Sequence, residues 1–494
     1  MILALGYVPP AAAFGEQVHE AITEAALASA VGPAAVAPAR PEEAAALLVE
    51  IDSWARASRH AEAWTARYPE PARFDGWAFK ELLSLNPDST VVGLDSFDTD
   101  DTLLATLVQA SRRPDDDGRN RDRLAHGPDR TPIPGVPDDP IILNMGRLGS
   151  VSSQAHAHYG LGEGEFSQDP EVLRTDPARF AVPVGWPEGP VLTLAPDMAQ
   201  AHADVATLAC LAGHDGLGAA WFGSGLHYVE DVGTPIHTVQ VGLHDFFVDA
   251  WLLRLSVSAR TGGGYFGELP TLGSIGMNSI TNHHLLGEAI TEVHLLGGEA
   301  GLLEAVRTKA SDLGALAEVP AGPTWMRDSV RALIAASSPH AAETYARTRT
   351  LLQPRFREPG VSHAEVTHDP TAAIRPDATA AEREAFFEVQ REALSRAGTA
   401  VRLLWRRQSE RLADARADPT VAARLRESTL DSLVGNALAQ RAAVDARRAR
   451  YLANPPTPAP SDSRMPAMLA AEVLGSAFLG WLLSRLLRRA RART

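Results

Sequence analysis

Cysteine is nearly absent from this chain of 494 residues, which contains only Cys210. No intrachain disulfide can therefore form, and the apolar neighbours of Cys210 predict a buried, unreactive thiol. For an exported chain, stability must then come from elsewhere, and bound metal ions are one candidate. Aromatic residues make up only 6% of the sequence while alanine-rich runs recur, which favours helices over sheets.

Positive charge is also scarce, with 46 lysines and arginines against 61 aspartates and glutamates. The resulting net charge of −15 argues against a general affinity for nucleic acid. Hydrophobic residues make up 45% of the chain and charged residues 22%, so a packed core is easily formed. The length suits one large domain or roughly two to three ordinary ones.

The most informative stretch runs from Trp221 to Thr238 and reads WFGSGLHYVEDVGTPIHT. His227 and Asp231 are four residues apart, so on a helix they share one face and can reach a single metal ion. A glycine and a proline then end that helix, and His237 follows across the turn. A carboxylate flanked by two imidazoles can also bridge two metals. The alternative is a helix end in which a buried histidine is hydrogen-bonded to a nearby aspartate.

The pattern HYxxDxxTPxH in this stretch resembles the core motif of the bacterial zinc-dependent phospholipases C. That family is all-helical and carries three zinc ions, so the resemblance implies an all-α, multi-helix core. The single-strand-specific zinc nucleases share the fold, but their turn usually reads closer to DxHQPLH. The sequence Val232-Gly233-Thr234-Pro235 is nearer to the phospholipase form. The resemblance covers roughly residues 14–300.

The first thirteen residues, MILALGYVPPAAA, are apolar and end in alanines, which is typical of a secretory signal peptide. No lysine or arginine precedes the apolar run. A start codon assigned too late would explain the missing basic residues. The alternative is an ordinary frayed terminus. Cleavage after Ala13 leaves Phe14 first, where the resembled family has a residue that chelates zinc through its own amine and carbonyl. The segment FGEQVHEAIT is similar to the family's WGxxxHxxIT, which implies that His19 is a zinc ligand.

Residues 114–122, PDDDGRNRD, are dense in oxygen ligands. One interpretation is a calcium loop, although its spacing departs from the EF-hand. The resemblance implies a second interpretation, in which a Pro-Asp after a stretch of small residues supplies a carboxylate ligand to zinc. Asp115 is then both a ligand and the catalytic general base, with Asp117 as the alternative ligand. A third interpretation is a solvated acidic loop.

Two further stretches complete the ligand set that the resemblance implies. In SQAHAHYGLG, His158 matches the family's histidine–aromatic pair, and His156 is either an orienting neighbour or exposed. In NSITNHHLLGEAITEV, His284 and Glu288 share one face of a predicted helix and match the family's HxxxE. His244 lies nearer to the family's usual spacing, but no carboxylate stands four residues after it.

By resemblance, three zinc ions are expected, and nitrogen and oxygen ligands without thiolates suit zinc. The nine implied ligands fall into three sets: Asp115, His158, His227 and Asp231 for the first ion; Phe14, His19 and the bridging Asp231 for the second; and His237, His284 and Glu288 for the third. Close zinc ions lower the pKa of a bound water and stabilise the charge that develops in phosphodiester hydrolysis.

Apolar spacing predicts further helices at about 42–68, at LLATLVQAS and, with a break at 213–218, from about 195 to 231. Asp52 and His60 share one face of the first of these helices and are expected to be solvated. The single cysteine lies within the last of them.

The remaining sequence predicts an extension and an anchor. The catalytic domain is expected at 14–355, with a helical extension at 356–450 packed on it. A Pro/Ser-rich linker at 451–464 leads to an apolar segment at 465–484, and a basic tail at 485–494 follows. This pattern predicts a transmembrane helix with a cytoplasmic tail. An interfacial amphipathic helix and a processed sorting signal are the alternatives.

The resemblance therefore implies a membrane-tethered zinc phospholipase C that is exported to the periplasm or the cell surface. Such an enzyme cleaves phospholipid to diacylglycerol and a phosphorylated headgroup by attack of zinc-bound hydroxide. Its expected partner is phospholipid at a membrane surface, with no nucleic acid and no obligate protein partner. The alternatives are a zinc-dependent single-strand nuclease of the same fold and a non-catalytic, metal-stabilised surface protein.

Overall fold

The structure is a computed structural model that describes residues 16–32, 34–69, 102–116, 160, 195–238, 272–357, 361, 363–366 and 369–453. The α-helices in these ranges are α1 (Glu16–Leu27), α2 (Pro41–Ala57), α3 (Ala61–Arg67), α4 (Leu103–Ser111), α5 (Arg113–Asp116), α6 (Ala195–Leu211), α7 (Asp215–Gly233), α8 (Leu272–Leu296), α9 (Leu302–Arg307), α10 (Gly314–Glu318), α11 (Trp325–Ser337), α12 (Ala341–Leu351), α13 (Ala380–Ala417) and α14 (Pro419–Ala453). Short 3-10 turns lie at Pro235–His237, Ser338–His340, Pro354–Arg357, His363–Val366 and Pro370–Ala373.

The described residues are mostly helical and contain no β-strand. Two isolated bridges, Ala35 with Thr102 and Leu352 with Ile374, are the extended pairings among them. The all-α prediction is confirmed at this level, whereas the particular phospholipase-like fold stays a prediction. The chain divides into two compact units, 1–449 and 450–494.

None of the helices in the described ranges is both long and apolar enough to cross a lipid bilayer. The predicted signal peptide at 1–13, the apolar segment at 465–484 and the basic tail at 485–494 lie outside those ranges. Helix α14 ends at Ala453, so the first three residues of the predicted linker at 451–464 are helical.

Helix α7 is the element around which the first unit is packed. Every residue from Gly216 to Gly233 is buried, as expected for a helix that is apolar on nearly all sides. It contacts α1, α4, α6, α11 and α13. Glycines permit close approaches to α4 and α13, because a Cβ at Gly223 would lie 2.5 Å from the Leu107 carbonyl oxygen in α4. A Cβ at Gly233 would lie 2.7 Å from the Ala397 Cβ in α13.

Helices α1 and α13 complete the surroundings of α7. Helix α1 buries Val18 and Ile22 on the face that it turns towards the core. Helix α13 begins at a capping box, in which the Thr379 hydroxyl accepts from the Glu382 amide and the Glu382 carboxylate accepts from the Thr379 amide. Such a cap satisfies backbone donors that the first helical turn leaves open. The middle of α13 is then buried against α7.

The expectation of a solvated Asp52 is wrong. Its carboxylate is buried and accepts hydrogen bonds from the Trp64 indole and the Arg56 guanidinium, each at 2.8 Å. His60 is also largely covered, and its Nε2 lies 3.0 Å from a carboxylate oxygen of Asp431 in α14. Asp52 of α2 is therefore covered by α3, and His60, directly before α3, lies against α14.

Candidate metal centre

A first group of three side chains joins α1 to α7. His19 comes from α1, and His227 and Asp231 come from one face of α7. The Nε2 atom of His227 lies 3.4 Å from Asp231 Oδ2, and that of His19 lies 3.6 Å from Asp231 Oδ1. The two imidazole rings stack with their centroids 3.9 Å apart. All three side chains are fully buried, so this face of α7 carries polar groups into the core.

In each histidine of this group, the ring nitrogen Nδ1 lies beside a hydrogen-bond acceptor. His227 Nδ1 lies 2.8 Å from the backbone carbonyl of Ser111, at the end of α4. A carbonyl only accepts, so Nδ1 carries the proton and Nε2 turns its lone pair towards Asp231. His19 Nδ1 lies 2.7 Å from a carboxylate oxygen of Glu230. Both rings therefore present Nε2 to the carboxylate of Asp231, with Nδ1 held by an acceptor as in metal-binding histidines.

A second group joins the turn after α7 to helix α8. His237 Nε2 lies 2.8 Å and His284 Nε2 lies 3.2 Å from the same oxygen of Glu288. His237 is fully buried, whereas the His284 side chain is 10% exposed, so this group borders the surface. Burial raises the pKa of the Glu288 carboxyl, but the charges and hydrogen bonds of His284 and His237 outweigh it and lower the pKa to about 2. The carboxylate is therefore ionised at neutral pH.

Asp231 connects the two groups electrostatically. Burial raises the pKa of its carboxyl well above the ordinary value, while positive charge on His237 lowers the pKa and negative charge on Glu288 raises it. The side chain thus belongs to the first group by contact and responds to charge in the second. This placement follows from the helix end at Gly233 and the 3-10 turn Pro235–His237, which bring His237 back beside α7.

Both groups have donor atoms at a spacing that suits a bound metal ion. Each offers three nitrogen or oxygen atoms that lie within 4.8 Å of one another. Ligand bonds of about 2.0–2.1 Å in a tetrahedron place neighbouring donors roughly 3.3 Å apart, close to the separations given above. The second oxygen of Glu288, Oε2, is buried and accepts no hydrogen bond from the described residues.

The structure brings together six of the residues that the sequence singled out, as two groups: His19, His227 and Asp231; and His237, His284 and Glu288. The sequence analysis assigned His19 and His227 to different ions that share Asp231. In the structure His19 lies beside one oxygen of that carboxylate and His227 beside the other, and the assignment to two ions stays a prediction. Phe14 and His158 lie outside the described residues, as do His156, Asp117 and His244. Their assigned roles stay predictions.

Two described backbone positions lie beside the undescribed candidates. Asp115 is in the short helix α5, which contacts both α1 and α7, the helices that carry the first group. Gly160, two residues after His158, donates its backbone N–H to the His237 carbonyl at 2.9 Å. On one side of residues 117–159 the chain therefore contacts the helices that carry the first group, and on the other side it contacts His237 of the second.

Glu230 is the functional candidate that the sequence analysis missed. It is fully buried between α1 and α7, and its Oε1 accepts a hydrogen bond from the Thr23 hydroxyl at 2.6 Å. Burial raises the pKa of its carboxyl well above the ordinary value. The sequence feature that could have identified Glu230 is a charged residue directly before Asp231, within the mostly apolar sequence of α7.

Comparisons with known proteins supply no family for this arrangement. No protein-family model, no curated protein and no solved structure matches the chain. The two groups of ligand-type residues are therefore interpreted from their own geometry and chemistry.

Proposed function

We propose that this protein is a zinc-dependent phosphodiester hydrolase, and that it acts as a phospholipase C on phospholipid at a membrane surface. The observation that carries the proposal is the pair of His/His/carboxylate groups, the first between α1 and α7 and the second beginning at the turn that follows α7. Two adjacent metal sites suit phosphodiester hydrolysis, because the substrate offers both non-bridging and leaving oxygens to stabilise. The zinc nature of the ions is part of the proposal and rests on the nitrogen and oxygen donors.

The chain's own residues would divide the work of such a site. Bound zinc supplies Lewis acidity and lowers the pKa of water. The carboxylates of Asp231 and Glu288 hold and partly neutralise the ions, and the partly exposed His284 marks the side from which substrate enters. Asp115 is proposed as the general base, supported by the contacts of its helix α5 with α1 and α7.

The proposed ligand His158 is supported by chain connectivity. Gly160 is hydrogen-bonded to His237 at 2.9 Å, and two residues of chain extend at most about 7 Å. His158 itself lies outside the described residues, and the contact of Gly160, two residues after it in the sequence, with His237 supports its proposed role. In the ligand sets that the resemblance implies, His158 and Asp115 join His227 and Asp231 around one ion, and Phe14 joins His19 and Asp231 around another.

Phospholipid is favoured over single-stranded nucleic acid for two reasons. The turn sequence Val232-Gly233-Thr234-Pro235 is nearer to the phospholipase form of the motif. The net charge of −15 also opposes binding to a polyanion. Export and the apolar segment at 465–484 would place the enzyme beside a bilayer, although such an anchor would retain a nuclease equally well.

The test combines zinc content with three substrates. The full chain is purified, its zinc per chain is measured, and the same sample is assayed on phosphatidylcholine vesicles, single-stranded DNA and bis(4-nitrophenyl) phosphate. Release of phosphocholine by protein that holds two to three zinc ions would support the proposal. DNA cleavage without lipid turnover would make it a nuclease. Zinc with no hydrolysis of any substrate would leave a metal-stabilised, non-catalytic protein.

A matched pair of variants on α8 distinguishes the loss of a metal ligand from a general effect on the helix. His284→Ala removes a ligand-type side chain from the second group, and we expect at least about 100-fold loss of hydrolysis. His294→Ala is the control, because His294 lies on the same helix and pairs with Glu299, whose side chain is exposed, at 2.5 Å. Equal activity of the two variants would remove the second group from the proposed site.

A further inference from the structure

Glu230 is an acidic residue in the protein core, where an uncompensated charge lowers stability. Its side chain is fully buried in α7, and burying a charge without compensation destabilises a protein strongly. Both of its oxygens are engaged by α1: Oε2 by His19 Nδ1 at 2.7 Å, and Oε1 by the Thr23 hydroxyl at 2.6 Å. His19 and Thr23 are four residues apart, so one face of α1 fixes the carboxylate at two points.

This contact decides which nitrogen of His19 is available. A carboxylate accepts the Nδ1 proton, which leaves the lone pair on Nε2, the atom 3.6 Å from Asp231 Oδ1. The other histidine of the group is held differently, because His227 donates to the neutral carbonyl of Ser111. A charged acceptor makes an imidazole a more basic ligand than a neutral one does. The two histidines are therefore not equivalent.

The charge of a bound metal ion also favours a role for Glu230. A divalent ion bound by Asp231 and two neutral imidazoles keeps one uncompensated positive charge. The ligands His19, His227 and Asp231 are all fully buried, so water does not screen that charge. The carboxyl group of Glu230 contacts His19 at 2.7 Å and would supply the missing negative charge when an ion is bound.

We propose that Glu230 is a positioning residue for a metal ion bound by His19, His227 and Asp231. It fixes the Nδ1–H tautomer and the orientation of His19, and it neutralises the remaining charge of the ion. The proposal rests on the metal-binding part of the proposed function and does not depend on the substrate.

The experiment measures Zn²⁺ affinity of the full chain by competition with a chromophoric chelator. In Glu230→Gln the amide oxygen still accepts from His19, but the charge is lost. We expect the affinity of one zinc to fall 10- to 100-fold, while the others keep theirs. The matched control is Asp204→Asn, another fully buried carboxylate, which accepts from Gln200 and Ser432 at 2.7 and 2.8 Å and lies outside both groups. It should leave every zinc affinity unchanged.

A spectroscopic signature separates positioning from general stability. In protein with ¹⁵N-labelled histidine and bound zinc, His19 should carry its proton on Nδ1. Glu230→Gln should keep this tautomer, and Glu230→Ala should lose it or mix it with the other. Thr23→Val, which frees one carboxylate oxygen and leaves the His19 contact, should weaken zinc binding less than Glu230→Gln.

The outcomes distinguish this inference from the proposed function. Unchanged zinc affinity in Glu230→Gln, or an equal loss in Asp204→Asn, would overturn the role of Glu230 and leave the hydrolase proposal intact. Zinc binding that depends on Glu230 in a protein with no hydrolytic activity would support the inference and end the proposed function. A wild-type chain that binds no zinc would overturn both.

Discussion

Gly233→Ala tests how packing sets the distance between the two metal-binding groups. Gly233 ends α7, two residues after Asp231 and four before His237. A Cβ at this position would lie 2.7 Å from the Ala397 Cβ, 2.9 Å from its Cα and 3.1 Å from its backbone nitrogen. Carbon atoms in contact are about 3.5–4.0 Å apart. Helices α7 and α13 must therefore separate by about 1 Å, because the backbone of α13 cannot rotate away.

Two consequences of that separation can be estimated. Overpacking of this kind costs about 1–3 kcal/mol of unfolding free energy, and the better helix propensity of alanine offsets at most about 1 kcal/mol. The shift also exceeds the roughly 0.5 Å tolerance of a metal or catalytic site. Since Asp231 precedes the contact and His237 follows it, we expect zinc affinity to fall at least about tenfold.

Urea unfolding and zinc competition measure the two effects on one sample. Gly314→Ala is the control, because a Cβ there meets nothing within 4 Å and the site lies at the start of α10. That change should be neutral or stabilise by about 0.5–1 kcal/mol. Adding Ala397→Gly to Gly233→Ala removes the 2.7 Å contact but not the backbone contacts, so it should rescue only partly. A Gly233→Ala protein with wild-type stability and zinc affinity would refute this reasoning.

Three further predictions concern metal, pH and a helix cap. Removing zinc with a chelator should lower the unfolding free energy by about 4 kcal/mol relative to protein with free zinc at 1,000 times its Kd, and an unchanged melting temperature would contradict metal binding. Burial raises the pKa of Asp204 to about 7 from 3.8, so the native state holds the extra proton between these values. Stability should therefore fall as pH rises from about 4 to 7, by up to about 4 kcal/mol, and urea midpoints of Asp204→Asn should lose this slope. Thr379→Ala removes the cap of α13 and should cost about 1 kcal/mol in the same assay, whereas Thr350→Ala on α12 should cost little.

The sequence predicts the local parts of the site well, because helix geometry alone determines them. A spacing of four residues places His227 beside Asp231, and His284 beside Glu288, wherever those helices pack. The turn that carries His237 follows equally from Gly233 and Pro235. None of these inferences requires knowledge of another element.

Contacts between distant elements are harder to predict. His19 lies 211 residues before Glu230, and only the packing of α1 on α7 makes it part of the site. Glu230 was missed for the same reason, since a neighbour of Asp231 points about 100° away around the helix. Its direction becomes meaningful once α1 is known to lie there. The wrong expectation for Asp52 also came from reading one helix without the helices that cover it.

Metal ions bound at the two groups would cross-link the core of a chain that has only one cysteine. A disulfide stabilises most when it closes a long loop, and a metal site acts on the same principle. The first group joins α1 to α7, and the second joins the turn at His237 to α8 across 51 residues. Glu230 and Asp231 are neighbouring buried carboxyl groups, and the pKa of Glu230 is raised by burial and, to a smaller extent, by negative charge on Asp231. A divalent ion between α1 and α7 removes that conflict, so metal binding and folding of this core should be coupled.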